Sequence, residues 1–523
     1  MTIKEHLIEK VFKPIKNAGF DVFFVGGCVR DELMGVEPHD FDITTSATPE
    51  QLHTIFDRFS NVSKNSEQFG VTMILIPSLV QADDLKPSYM EVEIATFRKD
   101  TSLGRHPTVS LGASIEEDAA RRDFTVNALY EDAEGNVIDP TGKGLEDIKA
   151  KTLRFVGKAV DRVKEDPLRL FRACRFQAQK GFSLDNGLSI EDQTDISNLI
   201  ESTGIEKLFE GVSKERQLKE IKGIFGGKFF MTESDTTMRY LTVFGLLKVM
   251  GLQGIFNEMR QTKQNPKWHA EGATAIVKIN GVTSEVPGEY ASELFEKSVK
   301  GEIDDFEIIK FTECGDVLTH AFNVMKEMSK IDHDWIDMMS CLMHDIGKAV
   351  SSRRGEKKNP EDAWCKTKDH PITGAPLAEE LCKNMKMSND EVEIIKDLVL
   401  RHMDMHHLGG FKSKYAILKL TTNPNWERLV KLAGCDDKGC CKTALDDEEM
   451  PIEKIVSLPK IKECISMEMP ERILTGDDLI EKGFKPGPTF KKALEVAHKI
   501  QIDQDITDKD LLFRQVKSIV KGN

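Results

Sequence analysis

Residues 21–45 read DVFFVGGCVRDELMGVEPHDFDITT, and the fold turns on how that stretch is read. The apolar run Val22, Phe23, Phe24, Val25 has the character of a buried strand. It breaks at Gly26-Gly27 and is followed at once by a helix start carrying Arg30 and Asp31. Such a turn suits a phosphate: two glycines let backbone N–H groups approach closely, a helix N-terminus adds positive potential, and Arg30 adds a charge-assisted fork. About one helix later come Asp40 and Asp42. On a strand their side chains share a face, the arrangement that holds Mg²⁺ through oxygen ligands while a nucleoside triphosphate supplies the others. Alone, Gly-Gly-x-x-Arg is more often an ordinary strand-to-helix turn, and Asp-x-Asp a solvated loop.

Outward from this stretch, Thr48 to Phe59 reads as a short helix, and Val71–Pro77 and Met90–Phe97 as strands of the same sheet. Glu93 is either a third carboxylate for the metal or a charge at the sheet edge. The Gly-, Pro- and Ser-rich segment from Arg98 to Gly112 reads as a mobile loop. In EEDAARRDFTVNALY, two arginines precede an aspartate and an apolar stretch. In KEDPLRLFRACRF, Asp166, Arg169, Arg172 and Arg175 recur every three residues and drift round one flank of a helix. That is either a basic helix face neutralised elsewhere or a base reader. A carboxylate accepts from an exocyclic amine and a guanidinium donates to ring nitrogens or carbonyls, so an Asp/Arg pair accepts cytosine and adenine and refuses uracil and guanine.

The order GG…DFD, RRDFTVNAL, EDPLRLFRACRF resembles the class II branch of the tRNA nucleotidyltransferases (CCA-adding enzymes) and bacterial poly(A) polymerases. The resemblance implies an α+β fold: a nucleotidyltransferase head of polymerase-beta type with a mixed sheet, then an all-α neck, body, HD domain and tail. It implies Asp40 and Asp42 as catalytic metal ligands, with Glu93 as a further one. Nucleotide contacts fall to Gly26, Gly27, Arg30, Arg122 and Asp123, base reading to Asp166 and Arg169, and phosphate contacts to Arg172 and Arg175. Asp139-Pro140-x-Gly142 with Asp147-Ile148 is similar to the family's hinge. VSKERQLKEIKGIF (Ser213, Glu215, Arg216, Glu220) is similar to its last head-and-neck motif. Implied partners are tRNA, CTP and ATP.

Farther on, Trp268-His269-Ala270-Glu271-Gly272 is separated from Asp316-Val317-Leu318-Thr319-His320 by an extra piece. Strand alternation flanks Asn280-Gly281, a hairpin signal, and a helix and an apolar strand follow. We read it as a small inserted ββαβ-like module. Beyond it His320, the His344-Asp345 pair, His370, His402 and Asp436 lie on successive helical stretches. Imidazoles and carboxylates so spaced can converge on a divalent metal. The series resembles an HD phosphohydrolase domain, which implies a transition metal of Ni, Mn, Co or Zn type and phosphatase, 2′-nucleotidase or 2′,3′-cyclic phosphodiesterase chemistry. A structural metal is the alternative. Neighbouring Cys435, Cys440 and Cys441 read as reduced thiols.

The expected divisions are 1–138 head, 139–200 neck, 201–272 helical body, 273–315 insert, 316–445 HD domain and 446–523 helical tRNA-binding tail. With 523 residues and a net charge of -15, the chain is not a blanket nucleic-acid coat, although a local basic stripe suffices for RNA. Ten cysteines without a paired CxxC pattern fit a reduced cytosolic protein, and no apolar run approaches membrane-spanning length. The N-terminus reads as an amphipathic helix, not a signal peptide. The expected activity is addition and repair of the tRNA 3′-terminal CCA, the alternatives being a poly(A) polymerase or an A-adding enzyme built on the same head.

Overall fold

The computed structural model describes residues 1–58, 69–79, 88–100, 109–232, 236–264, 269–279, 282–303, 306–313, 315–353, 369–441 and 451–521. Trp268 and the Asn280-Gly281 turn lie outside them. The chain forms two compact units, Met1–Met250 and Gly251–Asn523.

The first unit is organised on a six-stranded mixed sheet. Its strands are β1 (Val22–Val25), β2 (Ile43–Thr45), β3 (Val71–Pro77), β4 (Tyr89–Thr96), β7 (Tyr130–Glu131) and β8 (Val137–Ile138), in the order β3-β4-β2-β1-β7-β8. The β2–β4 pair is parallel, with Ile43 opposite Ile94, and the other neighbours are antiparallel. Val22, Phe24 and Val25 are buried, as expected of a central strand. The segment read as a mobile loop begins and ends in structure: β5 (Arg98–Asp100) pairs with β6 (Val109–Leu111) as a separate two-stranded ribbon, residues 101–108 lying outside the described ones. Asp40 and Asp42 also differ from the reading that put them on a strand. β2 is three residues long and starts at Ile43, so both carboxylates stand on the exposed approach to it. The ladder nevertheless reaches back one residue, because Val25 N–H donates to the Asp42 carbonyl.

Helices of this unit that carry candidate residues are α1 (Gly27–Leu33), α2 (Ile115–Ala120), α3 (Ala159–Glu165), α4 (Leu168–Lys180) and α5 (Lys214–Phe225). Ser114 starts α2 with a capping box to Glu117, and Gly181, left-handed at φ 69°, stops α4. Leu170, Phe171, Ala173, Cys174, Phe176 and Ala178 bury one flank of α4, leaving Arg169, Arg172 and Arg175 on the half-buried flank.

In the second unit β9 (Thr274–Ile279), β10 (Val282–Pro287), helix α6 (Gly288–Val299) and β11 (Phe306–Glu313) follow one another, with sheet order β10-β9-β11. Ala275 and Val277 pack with Ala291 and Leu294 into a core of their own. The helices that follow are α7 (Val317–Ser329), α8 (Trp335–Met343), α9 (Ile346–Arg353), α10 (His370–Asn384), α11 (Asn389–His407) and α12 (Trp426–Gly439). Near the C-terminus α13 (Pro488–Asp503) and α14 (Lys509–Lys521) share a small core around Leu479, Phe490 and Val516.

Candidate functional site

At the end of β1 the chain turns through Gly26 at φ 75°, a left-handed conformation that L side chains rarely adopt. A Cβ there would stand 3.5 Å from Arg122 Nη1 and 3.9 Å from Asp42 Oδ2. The turn, the arginine and the carboxylate are therefore one site, with α1 beginning directly above it. Burial of its surroundings lifts the Asp42 carboxyl above the ordinary aspartate value. Arg122 opposes that shift, Asp40 adds to it, and Arg30 opposes it more weakly. Glu93, on β4 one residue before Ile94 as Asp42 is one residue before Ile43, and so level with Asp42 in the parallel register, is raised by burial and by the Asp42 charge. Asp40 thus penalises the Asp42 charge, and Asp42 that of Glu93, leaving an acceptor set that a divalent cation would neutralise.

Arg122 is held from behind by a group that the sequence reading did not single out. Asp118, fully buried on α2, accepts from Arg122 Nη2 at 3.0 Å, from Arg121 Nη2 at 2.7 Å and from the Tyr130 hydroxyl at 2.7 Å. Arg122 Nε also donates to Tyr130 Oη at 3.0 Å. The signal was its spacing, three and four residues before a pair of arginines on a helix. Arg30 is buried: it donates to Asn127 Oδ1 at 2.6 Å and to Asp31 Oδ1 at 2.9 Å, and stacks on Phe176 at 5.0 Å. Asp123 accepts from Asn127 Nδ2 at 3.0 Å and pairs with Arg172 Nη2 at 2.7 Å.

The Asp166/Arg169 pair is arranged otherwise than the spacing suggested. Asp166 accepts from Leu168 N–H at 3.1 Å and from Arg216 Nη2, on α5, at 3.0 Å. Arg169 donates instead to the carbonyls of Arg162 and Arg121, each at 2.9 Å, and to Glu165. Arg175 pairs with Glu220 at 2.6 Å. Thus each arginine along α4 is fixed by its own partner.

The second unit gathers every histidine and aspartate read as a ligand of the HD site. Asp316 caps α7, accepting from Thr319 N–H at 2.9 Å, and so orients His320 one residue further on. Asp334 caps α8, and His344 ends that helix with Asp345 at the junction to α9. Arg428 and Lys431 of α12 clamp Asp334 and Asp337 of α8, setting Asp436 against that junction. His320, His344 and Asp436 form one ligand triad and Asp345, His370 and His402 another, the ligand atoms of each lying within 4.8 Å of one another. His320 Nε2 is 2.9 Å from Asp436 Oδ1, and His344 Nε2 is 3.3 Å from His320 Nε2. His370 Nε2 is 3.0 Å from both Asp345 Oδ1 and His402 Nε2.

The residues fit a divalent cation. His344 Nδ1 and His402 Nδ1 each lie 2.8 Å from a backbone carbonyl, of Cys341 and Val399. A carbonyl accepts only, so each Nδ1 carries the hydrogen and each Nε2 turns a lone pair inward. His320 is instead lifted to about 10. Burial works against its charge, but Asp436 and Glu271 outweigh that. The positive charge that a proton brings to these atoms is the charge a metal ion brings. Burial takes His402 down to about 4.

Three neighbours were not foreseen. Glu271 is buried, lies 2.9 Å from His320 Nδ1 and is held at about 2 because His269 and His320 outweigh the burial that opposes its charge. His406, one turn beyond His402 on α11, reaches Asp436 Oδ2 at 2.9 Å. Lys348 pairs with Asp345 and donates to Gln264 at 2.9 Å. The spacing of His402 and His406 was a usable signal; Glu271 had none, since the insert stands between it and His320.

Comparison with known proteins agrees with this division. Residues 22–154 match the Poly A polymerase head domain and residues 317–455 the HD domain. A CCA-adding enzyme of Streptococcus pyogenes serotype M2 (strain MGAS10270) is 40% identical over 207 residues, 39% of this chain and 48% of that protein. One from Latilactobacillus sakei subsp. sakei (strain 23K) is 38% identical over 219 residues, 40% of this chain and 51% of that protein. The chain thus matches about half the length of these relatives. Among solved structures, the Bacillus stearothermophilus CCA-adding enzyme in complex with CTP superposes with a TM-score of 0.59 at 20% identity, covering 100% of both chains. A CCA-adding enzyme complexed with ATP gives 0.51 at 15% identity, covering 100% of this chain and 96% of that one. No helix among the described residues is long and apolar enough to cross a membrane. The chain thus carries a match to the Poly A polymerase head domain and a match to the HD domain, on a fold shared with the solved CCA-adding enzyme.

Proposed function

We propose that this chain adds and repairs the 3′-terminal CCA of tRNA, transferring CMP and AMP from CTP and ATP with release of pyrophosphate, and that its HD domain hydrolyses phosphate esters. The observation that carries the first half is the convergence of Asp42 and Arg122 on the Gly26 turn, each within 4 Å of where a Cβ on that glycine would stand. Asp40 and Asp42, with Glu93, would hold Mg²⁺, which would supply charge for the attacking 3′-hydroxyl and the departing pyrophosphate. The chain's own groups do the rest. Backbone at Gly26 and Gly27 and the start of α1 cradle the triphosphate, where Arg122, already oriented by Asp118 and Tyr130, donates to its oxygens. Arg30 and Asp123 buttress that cradle through Asn127 and Arg172.

Asp166 and Arg169 read the base. Each Asp166 oxygen has accepted one hydrogen bond and keeps a lone pair for an exocyclic amine, while Arg169 is aimed by two carbonyls. Cytosine and adenine satisfy both partners; uracil and guanine leave them unpaired. At the HD site a transition metal of Ni, Mn, Co or Zn type would be held by His320, His344 and Asp436, and a second by Asp345, His370 and His402. Such an ion activates water.

The test offers purified protein with Mg²⁺ three tRNA transcripts, ending before CCA, after C and after CC, with all four NTPs. Product ends are then sequenced. Addition of C, C and A followed by a stop is the expected result. A long A tail moves the chain to the poly(A) polymerases, and A added after CC alone to the A-adding enzymes.

A further inference from the structure

We propose that His269, Cys440 and Glu271 form an additional cation site beside the His320–His344–Asp436 triad, one that takes a thiophilic divalent ion such as Zn²⁺. The segment 269–271 is tied to the end of α12 by two reciprocal contacts. Ala270 N–H donates to the Cys441 carbonyl at 2.9 Å, and Cys441 N–H donates to Glu271 Oε2 at 3.1 Å. This pairing brings Cys440 Sγ to 3.7 Å from His269 Nδ1 and puts Glu271 Oε1 at 3.1 Å from the same nitrogen. The ligand atoms of His269, His320 and Cys440 lie within 4.8 Å of one another.

The two spacings from His269 Nδ1 are close to edges of a zinc tetrahedron. With Zn–S of about 2.3 Å and Zn–N and Zn–O of about 2.0 Å, tetrahedral angles set an S···N edge of roughly 3.6 Å and an N···O edge of roughly 3.3 Å. The observed edges are 3.7 and 3.1 Å. A second observation points the same way. Fully buried His320 Nδ1 stands 2.9 Å from Glu271 Oε1 yet has no hydrogen-bond partner in proper geometry among the described residues. The donor set also differs in kind from the two triads, which contain nitrogen and oxygen alone. Sulfur shifts preference toward zinc and away from magnesium or manganese. Because Glu271 touches both His269 and His320, an ion here also fixes the ring that the neighbouring triad uses. The assignment is independent of what either catalytic site acts on.

The full chain, stripped with a chelator and reloaded with Co²⁺, provides the readout. The expected result is a near-ultraviolet thiolate-to-cobalt charge-transfer absorption that Cys440→Ser abolishes, His269→Asn weakens, and His344→Asn leaves in place. Zinc-loaded wild-type protein, measured by X-ray absorption, then shows a sulfur neighbour at about 2.3 Å. Absence of the absorption and of the sulfur neighbour in wild-type protein overturns the proposal without need of any variant. Survival of the band in Cys440→Ser overturns it too, by assigning it to another thiol. Loss of the band in a folded His344→Asn protein overturns it as well, because Cys440 would then belong to the triad's ion.

Discussion

Asp42 and Asp118 lie in the same unit and respond to protons in opposite senses. Asp42 is raised by burial, so its charge costs stability at neutral pH, and the cost is relieved as pH falls through its folded pKa. Asp42→Asn is therefore expected to raise the Mg²⁺-free melting temperature slightly, solvent at this exposed position screening most of the effect, while nucleotide incorporation drops on the order of 10³-fold. A variant that loses both stability and incorporation would assign Asp42 a structural role. Asp118 is buried too, but Arg122 and Arg121 outweigh that burial and hold its pKa below the ordinary value. Its contribution is present above that ordinary value and is lost as pH falls through the folded one. Asp118→Ala, which strands two arginines, is expected to cost about 3–5 kcal/mol, read by chemical denaturation. Asp118→Asn should flatten the acid limb of the stability–pH profile. The Asp42 sign was not readable in the sequence, because it depends on surroundings brought by packing, whereas Asp118 stands at helical spacing from the two arginines that set its sign. What was readable was residue type and order: Gly26, Asp42 and Arg122 come together as the motifs implied, whereas the link from Asp166 to Arg216 crosses fifty positions that no local spacing reveals.

Among the elements, α5 and the 274–313 module carry the sharpest consequences. Arg216 of α5 holds the carboxylate assigned to base reading, so α5 acts as a brace for the start of α4. Arg216→Ala is expected to preserve CTP incorporation but to lower discrimination against UTP about tenfold, the equivalent of about 1.4 kcal/mol, in competition assays. Unchanged discrimination would make that ion pair a mere surface contact. The module is self-contained in a different sense. Its first and last strands pair with Thr274 opposite Glu313, and its apolar side chains pack on one another. Replacing it with a short glycine link should leave nucleotide incorporation intact. Its strands were legible because period-two alternation survives any context. The ribbon of β5 and β6 was not: glycine, proline and serine mark a loop whether or not its two ends pair.

For the whole chain, two compact units with separate chemical sites imply separable responses. Removing transition metal with a chelator, Mg²⁺ then being restored, is expected to lower the melting transition of the second unit by roughly 3–4 kcal/mol of lost ligation and to leave the first unmoved. Calorimetry with and without added metal checks this. His344→Asn should abolish phosphohydrolysis and spare nucleotide transfer; loss of both would mean that the sites are coupled. The α+β head followed by helices was readable along the length of the chain. Glu271 was not, because an entire module separates it from the histidine it supports. That module also bears on chain statistics. A flexible segment of roughly 40 residues between Glu271 and His320 would impose a loop-closure entropy about 2 kcal/mol greater than a four-residue turn does. With Thr274 and Glu313 on one rung of a sheet, the polymer on either side meets the insertion as though it were a hairpin. Lengthening the module where Val282 faces Ile279, at the far end of β9 from that rung, therefore leaves the closure term of the metal site untouched.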